Sequence, residues 1–165
     1  MTDGFRIRRL NHAVLFVSEL HAAGEFYRGT LGFETVSEDD RSLFLRAAGS
    51  DNHHDLGLFA LGAGAPGPGR GQTGLYHLAW QVDTIDELVE ARRLLLEAGA
   101  FVGESSHGAT KSVYARDPDG NELEIMWMIP RAEWGEYATK GVVEPLDLAG
   151  DVSRWSGVAT AAELT

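Results

Sequence analysis

Leu10-Asn-His-Ala-Val-Leu-Phe-Val17 returns in kind as Leu75-Tyr-His-Leu-Ala-Trp-Gln-Val82. Both stretches are short, rich in β-branched and aromatic residues, and read as strands, the first extending back to Arg8. Each carries a histidine, His12 and His77, at its third position. Working outward from this pair, the same order of elements follows each histidine. After the first comes a helix over 20–31, with Leu20, Ala23, Phe26, Tyr27 and Leu31 on one face, Ser18 as its N-cap and Gly32 as its stop. Strands over 33–37, 42–47 and 54–61 complete the half, with turns at Asp39-Asp40 and Gly49-Ser-Asp-Asn52.

The second half repeats this plan. Its helix spans 85–98, from a Thr84 N-cap to a Gly99 stop, and strands follow over 101–104, 112–116 and 122–127. Asp117-Pro-Asp-Gly120 supplies the last turn. Each half is βαβββ, an internal duplication, with modules at 7–61 and 75–128 forming a paired unit over 1–128. Neither half alone would bury both faces of its sheet, so the two are expected to pack as one structural unit. The Gly- and Pro-rich stretch 62–74 reads as a linker, since its glycines would lose too much conformational freedom inside an element. It does not read as a phosphate cradle, because no strand leads from it into a helix. From 129 to 165 the pattern changes to aromatics among acidic and small residues. This C-terminal extension is expected to pack on the modules or on a partner subunit, with a lid over a substrate mouth as the alternative.

Composition narrows the function. Of 165 residues, 44% are hydrophobic and 24% charged, as in ordinary globular proteins. Fourteen basic against twenty-five acidic residues give a formal charge of −11, which argues against a nucleic-acid footprint. The absence of cysteine removes disulfides, thiolate metal sites and thiol nucleophiles. The first nine residues do not read as a secretory signal, and no run approaches the length of a membrane span. A cytoplasmic protein is the expectation.

The chemistry rests on three residues taken together. A lone histidine in a strand is more often structural than a ligand, but His12 and His77 hold the same position in duplicated halves. Glu124 lies between Leu123 and Ile125, and an ionised carboxylate aimed at a sheet interior calls for a compensating cation. Two histidines and a carboxylate are the ligand set of a facial triad on non-haem iron, with open positions. Aligning His54-Asp-Leu-Gly-Leu-Phe59 with Asn121-Glu-Leu-Glu-Ile-Met126 sets Gly57 opposite Glu124. A glycine side chain offers no fourth ligand, so the site is expected to be open, as catalytic sites are.

These features resemble the vicinal oxygen chelate superfamily over residues 7–128, and within it the type I extradiol ring-cleavage dioxygenases. The run that carries the likeness is His107-Gly-Ala-Thr-Lys-Ser-Val-Tyr-Ala-Arg-Asp-Pro-Asp-Gly-Asn-Glu-Leu-Glu124, together with Asn52-His53-His54-Asp-Leu. Two places before the motif histidine stands Ser105, a mild departure with no expected effect on the chemistry. The resemblance implies an α+β fold in which the two βαβββ modules form a half-open mixed β-barrel around the metal, with helices outside. It implies Fe(II), or Mn(II), held by His12, His77 and Glu124. His54 would stand beside the oxygen site, and His107 and Tyr114 would hydrogen-bond the substrate, a catechol-type aromatic diol cleaved with O2. The implied partners are that diol and O2, not nucleic acid or membrane, in a homo-oligomer of at least two subunits with all three ligands from one chain.

Plainer readings stand beside these. His53 reads as a polar strand edge, His21 as an exposed helix residue, His107 as an exposed turn residue and Tyr114 as a core tyrosine. Two other functions fit the same fold: a lyase, epimerase or thiol transferase acting on a metal-chelated substrate, and a binding protein without catalytic metal.

Overall fold

The computed structural model describes residues 4–69 and 71–161. The chain divides into two compact units, Met1–Gly67 and Pro68–Thr165, the boundary falling inside the expected linker.

In the first unit, β1 (Ala13–Val17) leads through α1 (Leu20–Glu25) to β2 (Glu34–Glu38), β3 (Ser42–Arg46) and β4 (Leu56–Ala60). The sheet order is β1-β4-β3-β2, with β1 and β4 parallel and the other pairs antiparallel. Leu43, Leu45, Leu56 and Leu58 are fully buried beneath the helix, with Val17, Ala23 and Tyr27. The expected helix over 20–31 is α-helical only to Glu25 and then widens into a π-helical segment, Phe26–Thr30. The wider turn lets the consecutive aromatics Phe26 and Tyr27 both turn inward, meeting edge to face, with Tyr27 also edge-on to Phe33. The cap differs too. Glu19, not Ser18, is the N-cap residue, and no side chain caps this end. Gly32 and Gly99 take the left-handed backbone (φ 72° and 66°) that stops each helical segment where the sequence places the stop.

In the second unit, β5 (His77–Gln81), α2 (Ile85–Glu97), β6 (Phe101–Ser106), β7 (Thr110–Arg116) and β8 (Glu122–Met128) repeat the plan, in the order β5-β8-β7-β6. Thr84 and Glu87 form a reciprocal capping box at the start of α2. Each sheet is a four-stranded mixed sheet, and neither closes into a barrel.

The register makes the duplication concrete. Val14 is aligned with Gly57 in one sheet and Ala79 with Glu124 in the other. On the neighbouring strand, Phe44 is opposite Gly57 and Tyr114 is opposite Glu124. The bulge repeats as well, between Thr35 and Ser37 in one module and between Phe101 and Gly103 in the other.

Beyond β8 the chain stays on the second unit. Two 3-10 turns (Arg131–Glu133 and Gly135–Ala138) lead to an antiparallel bridge between Ser106 and Glu144, then to α3 (Leu148–Trp155). Trp155 lies 6.1 Å from Trp127 between ring centroids, and Lys111 pairs with Asp151 at 3.4 Å. The Asp86 carboxylate accepts from Gly157 N–H (2.7 Å) and the Ser156 hydroxyl (2.9 Å). Among the described residues no helix is long and apolar enough to cross a membrane.

Two outcomes follow from this packing. Leu58→Ala, at the centre of the first sheet, lowers stability by about 3 kcal/mol, read as a lower urea midpoint with an unchanged slope. The Gly157 and Ser156 hydrogen bonds hold the Asp86 carboxyl below its ordinary pKa. Its contribution is therefore complete above the ordinary carboxylate value and disappears as pH falls through the depressed one. Asp86→Asn removes that part of the acid dependence, seen when unfolding is compared between neutral and acid pH.

Candidate active site

Glu124 is the centre of the site in the second unit. It sits on the central strand β8 among Leu123, Ile125, Met126 and Trp127, all buried, and is itself only 8% exposed. Parallel pairing aligns His77 with Glu122 and Ala79 with Glu124, so the first residue of β5 comes beside the carboxylate. His77 Nε2 lies 3.0 Å from a Glu124 carboxylate oxygen. Its other ring nitrogen, Nδ1, is buried with no hydrogen-bond partner among the described residues. A buried carboxylate beside an imidazole with an orphaned nitrogen suits a divalent cation: both groups are hard or borderline donors, and the cation offsets the desolvation that the carboxylate alone bears.

Tyr114 stands across from Glu124 on β7, its ring 5.8 Å from that of His77. Its hydroxyl is 2.7 Å from His107 Nε2 and 3.1 Å from Ser105 Oγ, and Ser105 Oγ is 2.9 Å from the same nitrogen. On the far side of the ring, His107 Nδ1 is 2.8 Å from the carbonyl oxygen of Val142. Burial holds the Tyr114 phenol above its ordinary pKa; the Ser105 hydrogen bond offsets part of this and the Glu124 charge adds to it. Tyr114 and His107 are thus members of one polar cluster rather than a plain core tyrosine and a free turn residue.

In the first unit His12 immediately precedes β1 and His54 precedes β4. Their rings are 4.5 Å apart, and Phe44 is edge-on to His54 at 5.1 Å. His12 Nδ1 is 2.9 Å from the amide oxygen of Asn11, to which it donates, leaving Nε2 as a lone-pair donor. Asn11 is in turn held by Asn52, which reaches both its side chain and its backbone oxygen and also bonds Asp55. Burial, and then the proximity of His12 and His53, holds the His54 pKa below its ordinary value. His53 and His21 are exposed. At Gly57, the counterpart of Glu124, an added Cβ would make ordinary contacts, 3.4 Å from the Phe44 ring and 3.5 Å from Val14.

The structure therefore brings His77, Glu124, Tyr114 and His107 together in the second unit, and His12 and His54 together in the first. Among the described residues no three His, Asp or Glu side chains form a metal-sized group. Two participants escaped the sequence reading. Ser105 bonds both His107 and Tyr114, although its hydroxyl was given no part in the chemistry. The Val142 carbonyl is a backbone group in a segment with no periodicity, and nothing in the sequence signals it.

Comparison with known proteins identifies the family. Residues 9–125 match the model of the Glyoxalase/Bleomycin resistance protein/Dioxygenase superfamily. Catechol-2,3-dioxygenase of Bacillus subtilis (strain 168) is 31% identical over 141 residues, covering 81% of this chain and 46% of that protein. Biphenyl-2,3-diol 1,2-dioxygenase 3 of Rhodococcus globerulus is 34% identical over 119 residues, covering 71% of this chain and 62% of that protein. The chain thus spans about half the length of these relatives. Among solved structures, a lactoylglutathione lyase from Agrobacterium tumefaciens superposes with a TM-score of 0.54 at 26% identity, covering 72% of this chain and 92% of the other. The chain belongs to the Glyoxalase/Bleomycin resistance protein/Dioxygenase superfamily.

Proposed function

We propose that the protein is a metal-dependent extradiol dioxygenase that opens the ring of a catechol-type substrate with O2. The observation that carries this reading is the Ser105–Tyr114–His107 cluster beside the His77–Glu124 pair. Metal chelation of a carbonyl or epoxide requires the pair; it does not require a phenol and an imidazole joined in one row next to it. Similarity to two aromatic-diol dioxygenases supports the same conclusion.

In this proposal His77, Glu124 and His12 hold Fe(II), or alternatively Mn(II). The bound ion supplies the Lewis acidity that lowers a catechol hydroxyl pKa, together with the reactivity toward O2. The protein's own groups do the rest. Tyr114 and His107 hydrogen-bond a substrate oxygen and hold the proton that moves as the ring opens. His54, in ring contact with His12, stands on the oxygen side and exchanges a proton there. The protein acts in the cytoplasm as a homo-oligomer of at least two subunits.

The test is anaerobic loading with Fe(II) or Mn(II), then aerobic assay against catechol and 2,3-dihydroxybiphenyl, following the yellow ring-opened product. We expect product from at least one diol, and loss of both product and stoichiometric metal in His77→Ala, Glu124→Ala and His12→Ala. Tyr114→Phe keeps the metal and lowers kcat by about 100-fold, the lower range for loss of a positioned acid–base group. Metal binding without turnover of any diol would instead favour a lyase or epimerase, the alternative suggested by the lactoylglutathione lyase likeness. Absence of metal binding would favour a binding protein.

A further inference from the structure

We propose that the C-terminal segment 141–144 is a positioning element that fixes the tautomer of His107 through the backbone carbonyl of Val142. The consequence for catalysis rests on the dioxygenase reading; the tautomer itself does not. A carbonyl oxygen only accepts hydrogen bonds, so at 2.8 Å from His107 Nδ1 it requires that nitrogen to carry the proton. The opposite neutral tautomer would set two lone pairs against each other at that distance.

With the proton on Nδ1, the neutral ring presents a lone pair at Nε2. The two groups within reach there are hydroxyls, and the shorter contact is Tyr114 at 2.7 Å. The shorter contact assigns Tyr114 as the donor to His107, and in that arrangement Ser105 donates to the Tyr114 oxygen at 3.1 Å. One backbone carbonyl thus makes Nε2 the accepting end of the row of Ser105, Tyr114 and His107. Before substrate binds, the phenol proton points toward the imidazole, and the phenol oxygen keeps its acceptor face toward Ser105. His107 is poised to receive a proton at Nε2, its own proton being held on Nδ1 by the Val142 carbonyl.

The segment is built to hold this position. Ser106 and Glu144 exchange two backbone hydrogen bonds, each 2.9 Å, directly beside His107. Tyr137 covers Gly108 so closely that a Cβ there would meet its ring at 2.3 Å. The end of the extension is tied down separately, by Asp86 to Ser156 and Gly157. His107 is therefore clamped between Ser106 and Gly108, the two residues on which the extension closes.

The experiment uses the metal-free full chain labelled with 15N in its histidine rings, with His107→Gln identifying the His107 signals. Two-bond 1H–15N correlation at neutral pH is expected to show His107 as the Nδ1–H tautomer. Two variants loosen the segment from different ends: Glu144→Pro, which removes the N–H given to Ser106, and Tyr137→Ala. Whichever of them speeds amide exchange at Ser106 is expected to shift His107 toward the Nε2–H form or a mixture of the two. If the dioxygenase reading holds, the same variant lowers kcat up to about 100-fold with little change in KM. An Nε2–H tautomer in the unaltered protein overturns the proposal, as does an unchanged Nδ1–H signal in a variant whose Ser106 amide has become exposed. Because the tautomer is read without metal or substrate, failure of diol turnover alone refutes the function and leaves this inference standing.

Discussion

A carboxylate buried in an apolar strand is the constraint around which the second unit is arranged. Moving such a group out of water costs several kcal/mol even after relaxation, and Glu124 is surrounded along β8 by Leu123, Ile125, Met126 and Trp127. It is tolerated because the chain, after passing from β5 through α2, β6 and β7, returns as β8 parallel to β5, which sets the histidine that opens β5 next to it. An antiparallel hairpin in the same place would carry that imidazole toward the other end of the strand. The phenol of Tyr114 then comes into range because β7 is registered on the same residue from the opposite side. Chemistry and topology are one problem here: three strands meet at one position of the sheet.

The first unit solves the same geometry differently. Where the second unit has Glu124 facing Tyr114, the first has Gly57 facing Phe44. The shared bulge on the strand after the helix indicates that backbone shape has been kept while side-chain chemistry diverged. One copy has become polar and the other aromatic, with Phe44 edge-on to both His54 and Phe59. The duplicated histidines, His12 and His77, hold the same place in the two copies, two residues before Val14 and Ala79.

Much of this was legible in the sequence because it is encoded by periodicity and by matched spacing. The order of elements, the glycine stops and the Gly57–Glu124 correspondence all depend on local pattern, and the register reproduces that alignment, although β1 opens only at Ala13 and leaves His12, expected within the strand, just outside it. Features that depend on tertiary contact were not legible. The break in the first helix reflects the need to turn Phe26 and Tyr27 inward together, which helical spacing alone does not reveal. Ser105 looked incidental because a hydroxyl gains meaning only from its neighbours across the β6–β7 pair. The path of the extension over the second unit has no repeat or motif to announce it.

The contact between His107 and Val142 also bears on how this protein tolerates sequence change. Its acceptor is a main-chain oxygen, present whatever residue occupies position 142, and the neighbouring Val143 side chain is 80% exposed. Substitutions there are close to silent for the contact. A change in length is not, because one residue added or removed between the 3-10 turn at 135–138 and Glu144 displaces the oxygen by a residue's span of backbone. Drift in this segment is therefore permitted in composition and restricted in spacing, so the extension can lose resemblance to its relatives while its grip on the imidazole persists.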